Sequence, residues 1–147
     1  MKNIEAVEAA KTYALTRIAM YDVIITCWKE KFRSQVIRPI TVINETIDRS
    51  WLPFLQTPPF PEHSSGHSGI SAAAAAILTK RFGDNFAFND TTELRYIGMK
   101  RSFTSFEQAA QEASMSRIYG GIHYRSGVNA GVIQGKSIAE YVYKKLF

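Results

Sequence analysis

From Ile4 to about Gln35 the apolar residues Ile4, Val7, Tyr13, Leu15, Ile18, Tyr21, Val23, Ile25 and Trp28 recur at roughly helical spacing, and no Gly or Pro interrupts them. The pattern predicts a long first helix, with Asn3 as its N-cap and a break near Thr16 in keeping with its length. It ends ahead of Arg38-Pro39, because proline disfavours the α conformation in the residue before it. Residues 40–64 carry Pro53, Pro58, Pro59 and Pro61 and read as loop, with a short helix over Thr41 to Ile47. A second clear helix runs from about Gly66 to Arg81. Its middle, Ala72 to Ala76, is small and helix-forming, so another helix can approach it closely. Gly83-Asp84-Asn85 stops it, and Phe86 to Phe103 reads as a loop or short hairpin. Thr104-Ser105-Phe106-Glu107 has the T-x-x-E form of a capping box and opens a third helix that ends at Gly120-Gly121. The last helix spans about Arg125 to Lys145, with Val128, Val132, Ile138, Tyr141 and Val142 on one face. The whole reads as an all-α helical bundle with one long Pro-rich loop and one irregular loop.

A chain of 147 residues argues for one domain, and 46% apolar with 21% charged residues excludes a wholly disordered chain. No apolar stretch is long enough for a membrane span. Cys27 is the only cysteine, so neither an internal disulfide nor a cysteine metal cluster is available. The N-terminal MKNIEAVEAAK lacks an apolar h-region and a cleavage site, so it does not read as a signal peptide. The net charge of +5 points to an anionic partner. Nucleic acid is the generic candidate and a small oxyanion the other.

Charge position decides between them. Lys31 and Arg38 are seven apart, nearly two turns, so on a continuous helix both leave one face and can converge on one anion. The plainer alternative is a solvated basic face, with Lys29 and Arg33 nearby. Ser65-Gly66-His67 opens the Ala-rich helix, where free N–H groups and the positive dipole end favour an anion. There Ser65 can cap and donate, Gly66 permits close backbone approach, and His67 can face the bound group. Arg117 and His123 are six apart, on different faces of a continuous helix, unless Gly120-Gly121 breaks it and re-aims His123. Nucleic-acid binding wants basic residues interleaved with exposed aromatics, and here several cations are taken up by these motifs instead. No His, Asp and Glu cluster has divalent-metal spacing.

Taken together, Lys31-x6-Arg38-Pro39, Ser65-Gly66-His67 and Ser116-Arg117-x5-His123 resemble the three-part signature of the vanadium haloperoxidase and type 2 phosphatidic acid phosphatase (PAP2) superfamily over roughly residues 12–145. The soluble bacterial haloperoxidase-like branch is the most similar. The resemblance implies the family's catalytic helical bundle, and roles for single residues. Lys31, Arg38 and Arg117 hold the oxygens of vanadate or phosphate, and Ser65 and the Gly66 amide add hydrogen bonds. His123 is the vanadium ligand or the phosphate nucleophile, and His67 is the acid–base group. Trp28 and Phe60 fall where family members line the halide side, and are more similar to the fungal chloroperoxidases than to the algal bromoperoxidases, which carry His at the place of Phe60. Packing is the alternative for both. His63 and Glu62, in the same loop, read as surface residues.

Two departures bear on activity. Ser64 replaces a usual proline, and Gly127 stands where the family's phosphatases carry an acid four residues after the last motif histidine. Without that carboxylate His123 lacks an orienting partner, which favours a haloperoxidase oxidising halide with hydrogen peroxide over a phosphatase acting on phosphate esters through a phosphohistidine. A third reading is a partial domain that folds and associates without turnover. The chain looks shorter than whole members of that branch. Residues 1–147 are then one catalytic domain, either reduced or the C-terminal part of a longer protein, and apolar helix surface left uncovered implies a homo-oligomer. Family resemblance allows a soluble periplasmic or secreted location, and nothing in the chain fixes one.

Overall fold

The computed structural model describes residues 4–146. In chain order the elements are α1 (Ala6–Ser34), α2 (Pro39–Thr46), α3 (Gly66–Phe82), β1 (Phe88–Asp90), α4 (Leu94–Ile97), β2 (Arg101–Phe103), α5 (Phe106–Tyr119) and α6 (Arg125–Leu146). The helical bundle is as the sequence predicts, and β1 pairs antiparallel with β2 in the expected hairpin. α1 runs unbroken through Thr16. Asn3 lies outside the described residues, and Glu5 occupies the cap position without a side-chain hydrogen bond. The third helix is capped one residue later than predicted: Ser105 Oγ accepts from the Gln108 amide, while Gln108 Oε1 accepts from the Thr104 amide and hydroxyl.

α3 is central and packs against α1, α5 and α6. Its contact with α6 is a seam of small residues. Gly127, Gly131 and Gly135 recur every fourth position on α6, so they share one face. A Cβ on Gly135 would lie 2.1 Å from Gly69 O, and one on Gly131 2.4 Å from Ser65 O. The backbones are therefore in direct contact, and no side chain fits between them. α1 closes the core with a buried stripe of Thr12, Leu15, Ala19, Val23, Cys27 and Lys31. Leu15, Ala19 and Val23 meet Ala73, Ile77, Ala139 and Val142 there. Of the predicted α6 face, Val128 and Val142 are buried but Tyr141 is 63% exposed.

The hairpin is held by an aromatic cluster, with Phe106 stacked on Phe86 (centroids 5.1 Å) and on Phe88 (5.3 Å). The long loop between α2 and α3 is held at both ends of the site. Leu55 N–H donates to Gly120 O, Glu62 N–H to Val36 O, and Ser65 N–H to Gly127 O. That loop brings its carbonyls and one carboxylate against the motif side chains.

Candidate oxyanion site

Lys31 leaves the buried stripe of α1 one turn before its end and is fully buried, whereas Lys29 and Arg33 are exposed. The solvated-face alternative therefore fails for Lys31. Its Nζ donates to Pro61 O (3.0 Å) and Glu62 O (2.8 Å). Arg38 does not share its helix. α1 stops at Ser34, Gln35 adopts a left-handed C-cap (φ 50°), and Arg38 is the extended N-cap of α2, with Pro39 in the first turn. The two cations converge because the chain turns between them, so the argument from one continuous helix face is corrected. Arg38 donates to Phe60 O (3.0 Å), Ile122 O (2.7 Å) and Pro61 O (3.2 Å).

Ser65 caps α3 as predicted. Its Oγ accepts from the Ser68 amide (3.4 Å) and the Ser68 hydroxyl (2.9 Å), which leaves its own O–H free to donate. The backbone before it is tied down: the His63–Ser64 bond is cis, Cys27 Sγ donates to Ser64 O, and Ser64 Oγ donates to Gln134 Oε1. At the other side, Gly121 (φ 74°) takes the left-handed position after α5. A Cβ there would meet Trp51 and Pro53 within about 3 Å. This break carries His123 out of the helical direction and into the site, as the glycine pair predicts.

His123 is 7% exposed and held at both ring nitrogens. Arg38 lies 3.1 Å from Nε2 and Glu62 Oε1 lies 2.6 Å from Nδ1. A guanidinium can only donate, so Nε2 must offer its lone pair and the ring proton must sit on Nδ1, donated to Glu62. Glu62 is therefore no surface residue. It is fully buried, because the loop returns to α1 and Gly127 leaves the space its carboxylate fills. The Tyr124 amide also donates to Glu62 Oε1 (3.2 Å). His63 is half-buried.

The remaining predicted residues close the arrangement. The Arg117 side chain makes no hydrogen bond to the described residues, and its Nε is buried without a partner. Its guanidinium is close enough to Arg38 and His67 to lower the pKa of each. His67, in the first turn of α3, is the more exposed imidazole, and its pKa is lowered by burial, by Arg117 and by His123. Phe60 lies beneath the cations, 5.3 Å from Lys31 Nζ and 5.2 Å from Arg38 Cζ, and its ring is tilted against Trp28 at 5.1 Å. Trp28 is 38% exposed and opens the aromatic side to solvent.

Burial pushes the Lys31 ammonium down to about 8, against the opposing pull of Cys27 and Glu62. It also lowers the pKa of Arg38 and Arg117. Burial likewise lowers that of His123, although its hydrogen bond to Glu62 opposes this. Three cations thus share one desolvated space with a single carboxylate, and two positive charges are unmatched. An orphaned guanidinium Nε, a serine hydroxyl with its proton free to donate and an imidazole lone pair that faces Arg38 surround that excess. This donor set fits a tetrahedral oxyanion such as vanadate or phosphate.

The fold and these side chains define a class. A family model described as the VCPO second helical-bundle domain matches residues 11–50 and 44–147, and the chain belongs to that family. A crystal structure described as the first bacterial vanadium-dependent iodoperoxidase is 56% identical and superposes at a TM-score of 0.89, over 92% of this chain and 33% of that one. A bacterial vanadium-dependent chloroperoxidase shares the fold in its holo form at a TM-score of 0.74 and 16% identity, over 88% of this chain and 34% of that one. The chain thus spans about a third of the length of these solved proteins. No curated protein matches it.

Proposed function

We propose that residues 1–147 form the vanadate-holding catalytic bundle of a vanadium-dependent haloperoxidase, oxidising a halide with hydrogen peroxide. The observation that carries this reading is the unmatched positive charge around His123 Nε2, whose lone pair faces Arg38. Lys31, Arg38 and Arg117 would hold the oxyanion's oxygens, and Ser65 Oγ and the Gly66 amide would donate to them. His123 Nε2 would be the protein's bond to vanadium. Bound vanadate supplies the Lewis acidity that activates peroxide towards a halide.

The chain's own residues then do the rest. Arg38, which faces the Nε2 lone pair at 3.1 Å, would give that N–H to the bound anion instead. His67, kept neutral by its surroundings, accepts a proton from incoming peroxide at its free ring nitrogen. Lys31, fixed by two carbonyls, keeps its remaining N–H for the oxyanion. The Trp28–Phe60 pair gives an apolar side on which a weakly hydrated halide can rest. Iodide is the first halide to test, because the 56% identical structure is an iodoperoxidase.

Phosphate-ester hydrolysis is a second reading that one observation favours. Glu62 restores the carboxylate partner whose absence at Gly127 argued against a phosphatase. The peroxidase relatives set the order of the two. Peroxide-dependent iodide or bromide oxidation that requires added vanadate supports the first. Release of phosphate from p-nitrophenyl phosphate, inhibited by vanadate, supports the second. Neither, with an intact fold, leaves a domain that associates without turnover. The exposed apolar face of α1 supports a home inside a larger assembly, either a longer chain or an oligomer.

A further inference from the structure

We propose that Glu62 is the positioning residue for His123, and that Gly127 is the space that seats its carboxylate. The missing Cβ of Gly127 leaves room for Glu62 beside the ring. This inference rests on the proposed function in one respect only, the role of His123 Nε2 towards an oxyanion.

Three observations carry it. The Glu62 Oε1 to His123 Nδ1 distance of 2.6 Å is short, and both side chains are shielded from solvent (5% and 1% exposed). A carboxylate this close accepts the Nδ1 proton and fixes the tautomer, so that Nε2 is left as a lone pair. Second, a Cβ on residue 127 would lie 2.1 Å from Glu62 Oε1 and 2.6 Å from Oε2. A side chain at 127 therefore displaces the Glu62 carboxylate from its present place. Third, Glu62 Oε2 is buried with no partner, and Oε1 takes both the ring N–H and the Tyr124 amide. Buried polar atoms are usually paired, and here the paired oxygen is the one that faces the ring. Here the geometry is spent on orienting one ring.

The role of Glu62 is testable without relying on turnover. The measurements are the ¹⁵N chemical shifts of the His123 ring in the ligand-free protein and the vanadate dissociation constant. Wild type is expected to show the Nδ1–H tautomer at neutral pH. Glu62→Gln, which retains an acceptor oxygen without the charge, is expected to keep that tautomer and to weaken vanadate about tenfold. Glu62→Ala leaves Arg38 on Nε2; it is expected to shift the Nδ1 resonance, whose proton loses the carboxylate, and to weaken vanadate about 10- to 100-fold, the usual range for removing the partner of a ligating histidine. Glu62→Ala with Gly127→Asp is expected to recover both the Nδ1 shift and most of the affinity. A folded Glu62→Ala protein with unchanged ring shifts overturns the proposal. So does a double variant no better than Glu62→Ala in either readout. Should wild type not bind vanadate at all, the proposed function falls, and the ring shifts still decide the role of Glu62.

Discussion

The two long faces of α1 meet opposite fates. The inner stripe runs Thr12, Leu15, Ala19, Val23, Cys27, Lys31 and is buried, although four of its six members are polar, small or charged. The outer side carries Val7, Tyr13, Tyr21, Ile25 and Phe32, all larger or more apolar, and each is more than half exposed. Size and hydropathy therefore do not select the buried face of this helix. Close backbone approach at the α3–α6 seam leaves room only for modest side chains on the inner face. The one long residue there, Lys31, is admitted because loop carbonyls receive its charge. The outer face has the composition of a second interface.

The contrast predicts graded outcomes. Gly135→Ala should be the most damaging single change, because its Cβ meets backbone rather than a side chain that can turn away. A loss of about 3 kcal/mol in denaturant unfolding is expected. Lys31→Met should separate stability from binding. Holding the ammonium at about 8 corresponds to roughly 3 kcal/mol against its charged form, so the apolar variant should be as stable as wild type or more so. Its sulfate or phosphate affinity should fall at least about tenfold by titration calorimetry, for loss of one charge-assisted hydrogen bond.

Milder effects follow from pH. Lys31 is cationic below about 8 and loses its proton above it, so affinity for sulfate, whose own charge is constant there, should fall as pH rises past that value. His123 and His67 have folded pKa values below the ordinary 6.5. The unfolded chain therefore binds more protons at acid pH, and ligand-free stability should be lost as pH falls below about 6.5. Thermal unfolding between pH 5 and 8 measures this. The smallest effect belongs to the outer face. Ile25→Ser or Phe32→Ser should change stability by no more than about 0.5 kcal/mol, while sedimentation reports any loss of association.

Much of the site is legible in the sequence because each motif is tied to a chain break. Ser65 caps a helix, Gly121 ends one, and Pro39 starts one, so the side chains beside them have defined directions. The spacing of Lys31 and Arg38 predicts their convergence through one straight helix, whereas a left-handed Gln35 turns the chain and brings them together. Glu62 is illegible to periodicity, since it sits in a loop and its burial depends on a residue 65 positions later. The missing acid at Gly127 is the available clue, because an empty place beside a buried histidine leaves room for a carboxylate from elsewhere. The outer face of α1 misleads for the converse reason. Apolar periodicity reports that a surface is to be covered, and it does not say that this segment of chain covers it.

The most direct test of the site is a crystal structure of the protein soaked in vanadate. The account predicts one oxyanion within bonding distance of His123 Nε2, contacted by Lys31, Arg38 and Arg117, with Glu62 still on Nδ1. Vanadate bound elsewhere, or a His123 that stays on Arg38 with the three cations apart from any anion, would contradict it.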